Sequence, residues 1–180
     1  MHSNSFFAII FQDLLRFVNS KEEISELKIW LRLIHPRFLP VLLVRLSHSM
    51  YKRKLTRPFS FLPSICNIVF FGLEVTPKCI IGKGLYLPHT VGTVIGAKFI
   101  GENVTIFQGV TLGAKYADTE FTVDSRPVIG NDVTIGAGAK VLGNISVGNN
   151  SIISANSLVV DSVPNGVVMI GVPAKIKLDI

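Results

Sequence analysis

Residues 129–159 read Ile129-Gly-Asn-Asp-Val-Thr-Ile135-Gly-Ala-Gly-Ala-Lys-Val141-Leu-Gly-Asn-Ile-Ser-Val147-Gly-Asn-Asn-Ser-Ile-Ile153-Ser-Ala-Asn-Ser-Leu-Val159. An aliphatic residue returns every sixth position, a spacing that is neither the 3.6-residue period of a helix nor the two-residue period of a strand. A fixed hexapeptide period belongs to the parallel β-helix. Each unit forms one flat side of a triangular coil, and three units close a turn. The aliphatic residue points inward and stacks on its equivalents above and below. Glycine and asparagine fall near the corners, at Gly130-Asn131, Gly136, Gly138, Gly143-Asn144 and Gly148-Asn149. These residue types tolerate the left-handed backbone that a sharp corner can require.

The repeat starts upstream. Val75, Ile81 and Leu87 keep the step, the frame slips by one residue, and Val94, Ile100, Ile106 and Leu112 resume it. Residues 113–127 are polar and carry no spaced aliphatics. A solenoid can eject a loop without breaking its stack, often on its binding face, and a loop of this length is usually functional. It reads as an arm over a neighbouring subunit or as a surface excursion. Ahead of residue 74 the apolar spacing turns helical, over residues 6–18, 24–34 and 38–54, with Pro36 and Pro40 marking a break. Trp30, Leu31 and Ile34 are expected to face the core. The chain divides into a helical N-terminal region (1–73), a left-handed β-helix (74–175) with the extended loop 113–127, and a tail (176–180). The fold class is mainly β.

The 180 residues carry a net charge of +6, and the excess is local. Residues 1–73 hold ten Lys and Arg against four Asp and Glu, whereas residues 74–180 hold eight against eight. The densest run is Lys52-Arg53-Lys54 with Arg57, beside a largely apolar stretch over residues 59–73. That stretch is too short to span a bilayer. Basic residues beside an apolar segment suit either a solvated helical cap or an anionic membrane surface. No nucleic-acid recognition motif accompanies the charge. The N-terminus lacks a basic start, and Gln12-Asp13 interrupts its apolar stretch, unlike a signal peptide. The expected location is cytoplasmic, with the inner face of the membrane as an option. Cys66 and Cys79 have no metal or redox spacing, and Cys79 reads as a packed thiol.

His89 is the only histidine of the repeat region and sits where the frame slips. Histidine suits a general base because its pKa lies near working pH, and a base needs an orienting partner. Glu74 stands 15 residues earlier, almost one coil below at 18 residues per turn. A lone histidine in a repeat also serves as a hydrogen-bonded structural residue. A zinc site built from three histidines does not fit a β-helix with one, so no metal is expected. His35 and His48 read as structural.

Residues 74–175 carry Gly82-Lys-Gly84, His89-x-x-Gly92, Gln108-Gly-Val-Thr-Leu-Gly113, Ile135-Gly-Ala-Gly-Ala-Lys140-Val-Leu-Gly143 and Gly171-Val-Pro-Ala-Lys175. Together these motifs resemble the catalytic domain of the serine O-acetyltransferases and their relatives. The resemblance implies an acyl-CoA-dependent O-acetyltransferase with acetyl-CoA as donor, His89 as base and Glu74 as its partner. It implies a homotrimer whose CoA arm lies in a groove between subunits. Gly113, Ala114, Ala137, Gly138, Lys140, Pro173 and Lys175 match that groove, with an oxyanion donor near Gly113. Three departures concern the acceptor. Pro88 replaces an Asp that helps hold an amino acid, Ser125-Arg126 replaces an Arg-His pair, and the N-terminal helical region is shorter. Pro88 and Arg126 thus occupy acceptor-binding positions, and Arg126 retains a charge suited to a carboxylate. These departures favour the relatives that acetylate a hydroxyl of a sugar or surface polysaccharide, with L-serine as the alternative acceptor. Intact Glu74 and His89 speak against a silent scaffold. A C-terminal isoleucine in serine enzymes engages the next enzyme of cysteine synthesis; Leu178-Asp179-Ile180 follows Lys175 too closely to match that reach.

Overall fold

Proline and glycine set the helix limits. The computed structural model describes residues 5–17, 26, 30–118 and 120–177. Helix α1 (Phe6–Phe17) turns Ile10 and Leu14 inward. Helix α2 (Leu39–Lys52) has Pro40 in its first turn, where a missing N–H costs nothing, and buries Val41 and Val44. Helix α3 (Phe61–Phe71) stops at Gly72, whose φ of 59° supplies a left-handed cap. The helix expected over 24–34 lies partly outside the described residues, and its end, Leu31–Ile34, is a 3-10 turn. With three residues per turn, Trp30 and Leu33 share the inward side. Leu31 and Ile34 point to solvent, 63% and 81% exposed, against expectation.

The remainder is a three-sided parallel β-helix. Face one stacks β1 (Leu73–Val75), β3 (Thr93–Ile95), β6 (Thr111–Gly113), β9 (Lys140–Leu142) and β12 (Leu158–Val159). Face two stacks β2 (Ile80–Ile81), β4 (Phe99–Ile100), β7 (Val128–Ile129) and β10 (Ser146–Val147). Face three stacks β5 (Thr105–Ile106), β8 (Thr134–Ile135), β11 (Ile152–Ile153) and β13 (Val168–Gly171), closed by the antiparallel β14 (Ala174–Ile176). Late coils are 18 residues long, as in Val128↔Ser146, Thr134↔Ile152 and Lys140↔Leu158. Where the loop is inserted, Phe99↔Val128, Thr105↔Thr134 and Thr111↔Lys140 are all 29 apart. All three faces therefore resume with one offset.

Inward aliphatics form buried columns, such as Ile106-Ile135-Ile153 and Ile100-Ile129-Val147. The frame slip is larger than the sequence suggests. Ile95, not Val94, joins the column of Val75, Leu112 and Val141, while Val94 faces outward between Glu74 and Thr111. The corners also differ in detail from expectation. Gly138 and Gly143 are left-handed as expected, but at the Asn131 and Asn149 corners the left-handed residue is the next one, Asp132 or Asn150. Asn131 and Asn149 instead lend side chains to the neighbouring coil: Glu102 N donates to Asn131 Oδ1 at 2.8 Å and Asn131 N to Asn149 Oδ1 at 2.7 Å. Gly101 is needed for clearance, since a Cβ there would meet the Gly130 carbonyl at 2.6 Å.

A buried ion pair bolts the helices to the first coil. Arg45 donates from Nε to Asp13 Oδ2 at 2.7 Å and from Nη2 to Asp13 Oδ1 at 2.9 Å. It also donates to the carbonyls of Ile81 and Gly82 at 2.7 and 2.6 Å, while Asp13 accepts the Leu85 amide at 2.9 Å.

Candidate active site

The prism has a corner where chain passes from face three to face one, and another where it passes from face one to face two. The sequence-selected residues distribute between them. At the first corner lie Pro88 and His89, then Gln108-Gly109, then Ala137-Gly138, held coil to coil by Gly109 N→Val91 O at 3.1 Å and Gly138 N→Gln108 O at 2.9 Å. Gly138 needs its positive φ of 72° to make this turn. Lys140 crowns the ridge: its Nζ donates to the Gly109 and Gly138 carbonyls, both at 2.8 Å. Pro173 and Lys175 sit exposed in the terminal β13–β14 hairpin, which continues face three.

His89 is exposed. Its segment is anchored to the start of face one by Thr90 Oγ1→Phe71 O at 2.9 Å and Gly92 N→Gly72 O at 2.9 Å. Glu74 is also exposed, but its register partner is Val94. The local coil spans 20 residues (Leu73↔Thr93) rather than 18, so Glu74 lies under the strand that follows His89. No hydrogen bond or ion pair joins the two side chains.

At the second corner a cavity of about 560 Å³ opens beneath the extended loop. Its wall includes Glu74, Lys78, Gly113, Ala114, Asp118 and Arg126, with Phe61, Ile65 and Ile68 of α3 along one side. Gly113 ends the β6 ladder in register with Leu142, and a Cβ added there would meet nothing within 4 Å. The Ala114 amide, next along, donates to no carbonyl among the described residues. Gly113 thus leaves open space, and Ala114 a backbone donor, at the cavity wall.

Arg126 is buried and closely held. Nη1 donates to Gly96 O at 2.9 Å, Nη2 donates to Asp118 Oδ2 at 2.8 Å, and the guanidinium stacks 3.8 Å from the centre of the Phe121 ring. Nε is buried with no partner among the described residues. Asp118 is the organiser of this loop. It also accepts the amides of Thr122 and Glu120 at 2.7 and 3.2 Å and the Ser125 hydroxyl at 3.3 Å. Burial works against its charge, yet the Thr122 amide and Arg126 together hold its carboxyl below the usual carboxylate range. Lys98 Nζ adds a surface pair to Asp124 at 2.8 Å. Sequence reasoning missed Asp118 and Phe121, because a polar loop without period gives no clue to which side chains turn inward, and it missed Lys78 between β1 and β2, whose Nζ donates to Glu120 O at 3.3 Å only because the loop folds back over the first coil.

One chain therefore presents His89 and the Ala114 amide at the opposite corners that bound face one, a six-residue side of about 20 Å at some 3.3 Å per residue. Among the described residues, no group of three or more His, Cys, Asp and Glu is placed to hold a metal. No described helix is long and apolar enough to cross a membrane.

A profile of the family "Bacterial transferase hexapeptide (six repeats)" matches residues 126–161. The serine acetyltransferase of Helicobacter pylori (strain J99) is 39% identical over 144 residues, covering 79% of this chain and 82% of that protein. The chain belongs to the serine acetyltransferase family. Solved members of the family agree in fold. The Neisseria gonorrhoeae serine acetyltransferase in complex with serine superposes with a TM-score of 0.81 at 31% identity, covering 96% of this chain and 69% of that one. A serine acetyltransferase in complex with CoA gives 0.82 at 30% identity, covering 96% and 70%. The expected left-handed β-helix behind an N-terminal helical region is thus the fold of the serine acetyltransferase family. Membership corrects the acceptor inferred from Pro88 and Ser125. Relatives carrying the serine name match most of the chain, so the preference for a sugar or polysaccharide hydroxyl falls. The physical reason lies in the cavity, whose wall keeps the Arg126 guanidinium as well as Glu74 although residue 125 is a serine.

Proposed function

We propose that this chain transfers the acetyl group of acetyl-CoA to the side-chain hydroxyl of L-serine, giving O-acetylserine and free CoA. The observation that carries this reading is the 39% identity that runs through 82% of the Helicobacter pylori serine acetyltransferase. His89 takes the hydroxyl proton as the serine oxygen attacks the thioester carbonyl. Glu74 steadies the imidazolium. The Ala114 amide receives the developing oxyanion, a role for which a backbone donor is suited. Collapse breaks the carbon–sulfur bond, and His89 returns the proton to the departing thiolate. Arg126 supplies the cation for the acceptor carboxylate, and Pro88 stiffens the turn that presents His89 while adding no charge. Gly113, Ala137 and Gly138 leave room for the pantetheine arm; Lys140, Lys175 and the hairpin at Pro173 face its phosphate end.

The separation of His89 from the loop margin supports a homotrimer in which the His89 corner of one chain meets the loop of the next. The extended loop then closes over a neighbour, as its length and anchoring suggest. Location in the cytoplasm fits a metabolic acceptor.

Turnover of acetyl-CoA with millimolar L-serine, read as free thiol, tests the reading. His89→Ala should lower kcat by about 10²–10⁴. Acetyl-CoA binding without any serine-dependent thiol release would overturn it.

A further inference from the structure

Helix α3 is inside out. Its buried side is polar: Ser64 Oγ donates to Val75 O at 3.1 Å and shares a 2.9 Å hydrogen bond with Ser47 Oγ, and Asn67 Nδ2 donates to Pro40 O at 3.1 Å. Its outward side is apolar throughout, with Phe61, Leu62, Ile65, Ile68, Val69 and Phe70 all exposed. At 3.6 residues per turn, Phe61, Ile65 and Ile68 form one strip, and these line the cavity. Leu62 and Val69, seven residues apart, form a second strip with Phe70 further round the helix; none of the three is in the cavity wall, and they are 56%, 67% and 74% exposed. Leu55, 88% exposed, and Phe59 add exposed apolar side chains in the α2–α3 connection. Surface helices ordinarily show the reverse polarity, and a contiguous apolar patch marks an interaction surface.

Charge decides what covers it. Between residues 27 and 73 the sequence holds eight Lys and Arg and no Asp or Glu. Lys52, Arg53, Lys54 and Arg57 are exposed where the chain leads into α3. Cations flanking an apolar helix complement an anionic lipid surface, with the helix lying in the plane of the head groups. A second copy would bring the same cations and no carboxylate from this stretch, placing like charges together. At eleven residues α3 is too short to span and is suited to lie flat.

We propose that the second strip of α3, with the basic run beside it, docks the protein peripherally on an anionic membrane surface. Purified full-length protein is sedimented with phosphatidylcholine vesicles and with phosphatidylcholine–phosphatidylglycerol vesicles. Binding should occur with the mixed vesicles alone and weaken as salt is raised. Arg53→Ala with Lys54→Ala should lower partitioning roughly 25-fold, at about five-fold per cation. Leu62→Asp with Val69→Asp should abolish it while acetyl transfer persists, since neither residue lines the cavity. Equal or absent binding to both vesicle types would overturn the proposal. So would loss of an oligomer, seen by light scattering, in the Leu62→Asp, Val69→Asp protein without any lipid binding by the parent; that result would give the strip to a second copy.

Discussion

Arg126 and Asp118 show how a loop without repeat structure is given one shape. The guanidinium is fixed by a carbonyl, a carboxylate and an aromatic face, and the carboxylate is fixed in turn by two amides and a hydroxyl. Asp118→Asn keeps the size and removes the charge that orients Arg126. The loss should loosen Arg126, so KM for serine should rise while KM for acetyl-CoA stays put. Steady-state kinetics with each substrate saturating in turn separates the two. Because the Asp118 carboxyl is held low, its support of the loop is complete above the ordinary carboxylate pKa and fades as pH falls through its own lower value. A carbon-13 carboxyl titration should place Asp118 below 3.8, the value of a free Asp. At Cys79, burial pushes the thiol up to about 12. A thiol reagent at neutral pH should label Cys66 in the folded protein and spare Cys79 until unfolding.

At the scale of elements, the hexads located nearly every rung from sequence, because an inward aliphatic has to recur wherever a coil closes. Val94 and Ile95 mark the limit. Both are β-branched and adjacent, so spacing could not choose between them, and only the 20-residue coil beneath settles which turns inward. Glycine roles were legible by position but not by cause, since clearance at Gly101 and handedness at Gly138 look alike in sequence. Gly101→Ala should fail to fold stably, with a Cβ driven against the Gly130 carbonyl, as a lowered thermal midpoint would report. Asp13→Asn leaves Arg45 buried and unpaired, and such breaks cost about 3–5 kcal/mol. Urea unfolding should show that loss, because the pair is the joint between α1, α2 and the first coil.

At the scale of the molecule, the sequence named His89, Glu74 and the groove residues but gave no view of their separation. Residue spacing runs along the coil, whereas the distance that matters runs across face one, from the His89 corner to the Ala114 corner. Face identity becomes visible only once register is known. The acceptor was misread for a related reason: Pro88 and Ser125 record lost groups, and a linear motif does not show that Arg126 still borders the same cavity as Glu74.

The common 29-residue offset on all three faces has a practical consequence. Whatever happens between Ala114 and Ser125, the coils on either side meet in the same alignment. A nick within this segment leaves two fragments still zipped by parallel ladders, so the protein is a natural candidate for splitting into complementing halves. Its loop can be lengthened, shortened or exchanged for another as a cassette, retargeting the cavity while the prism behind it stays as it is.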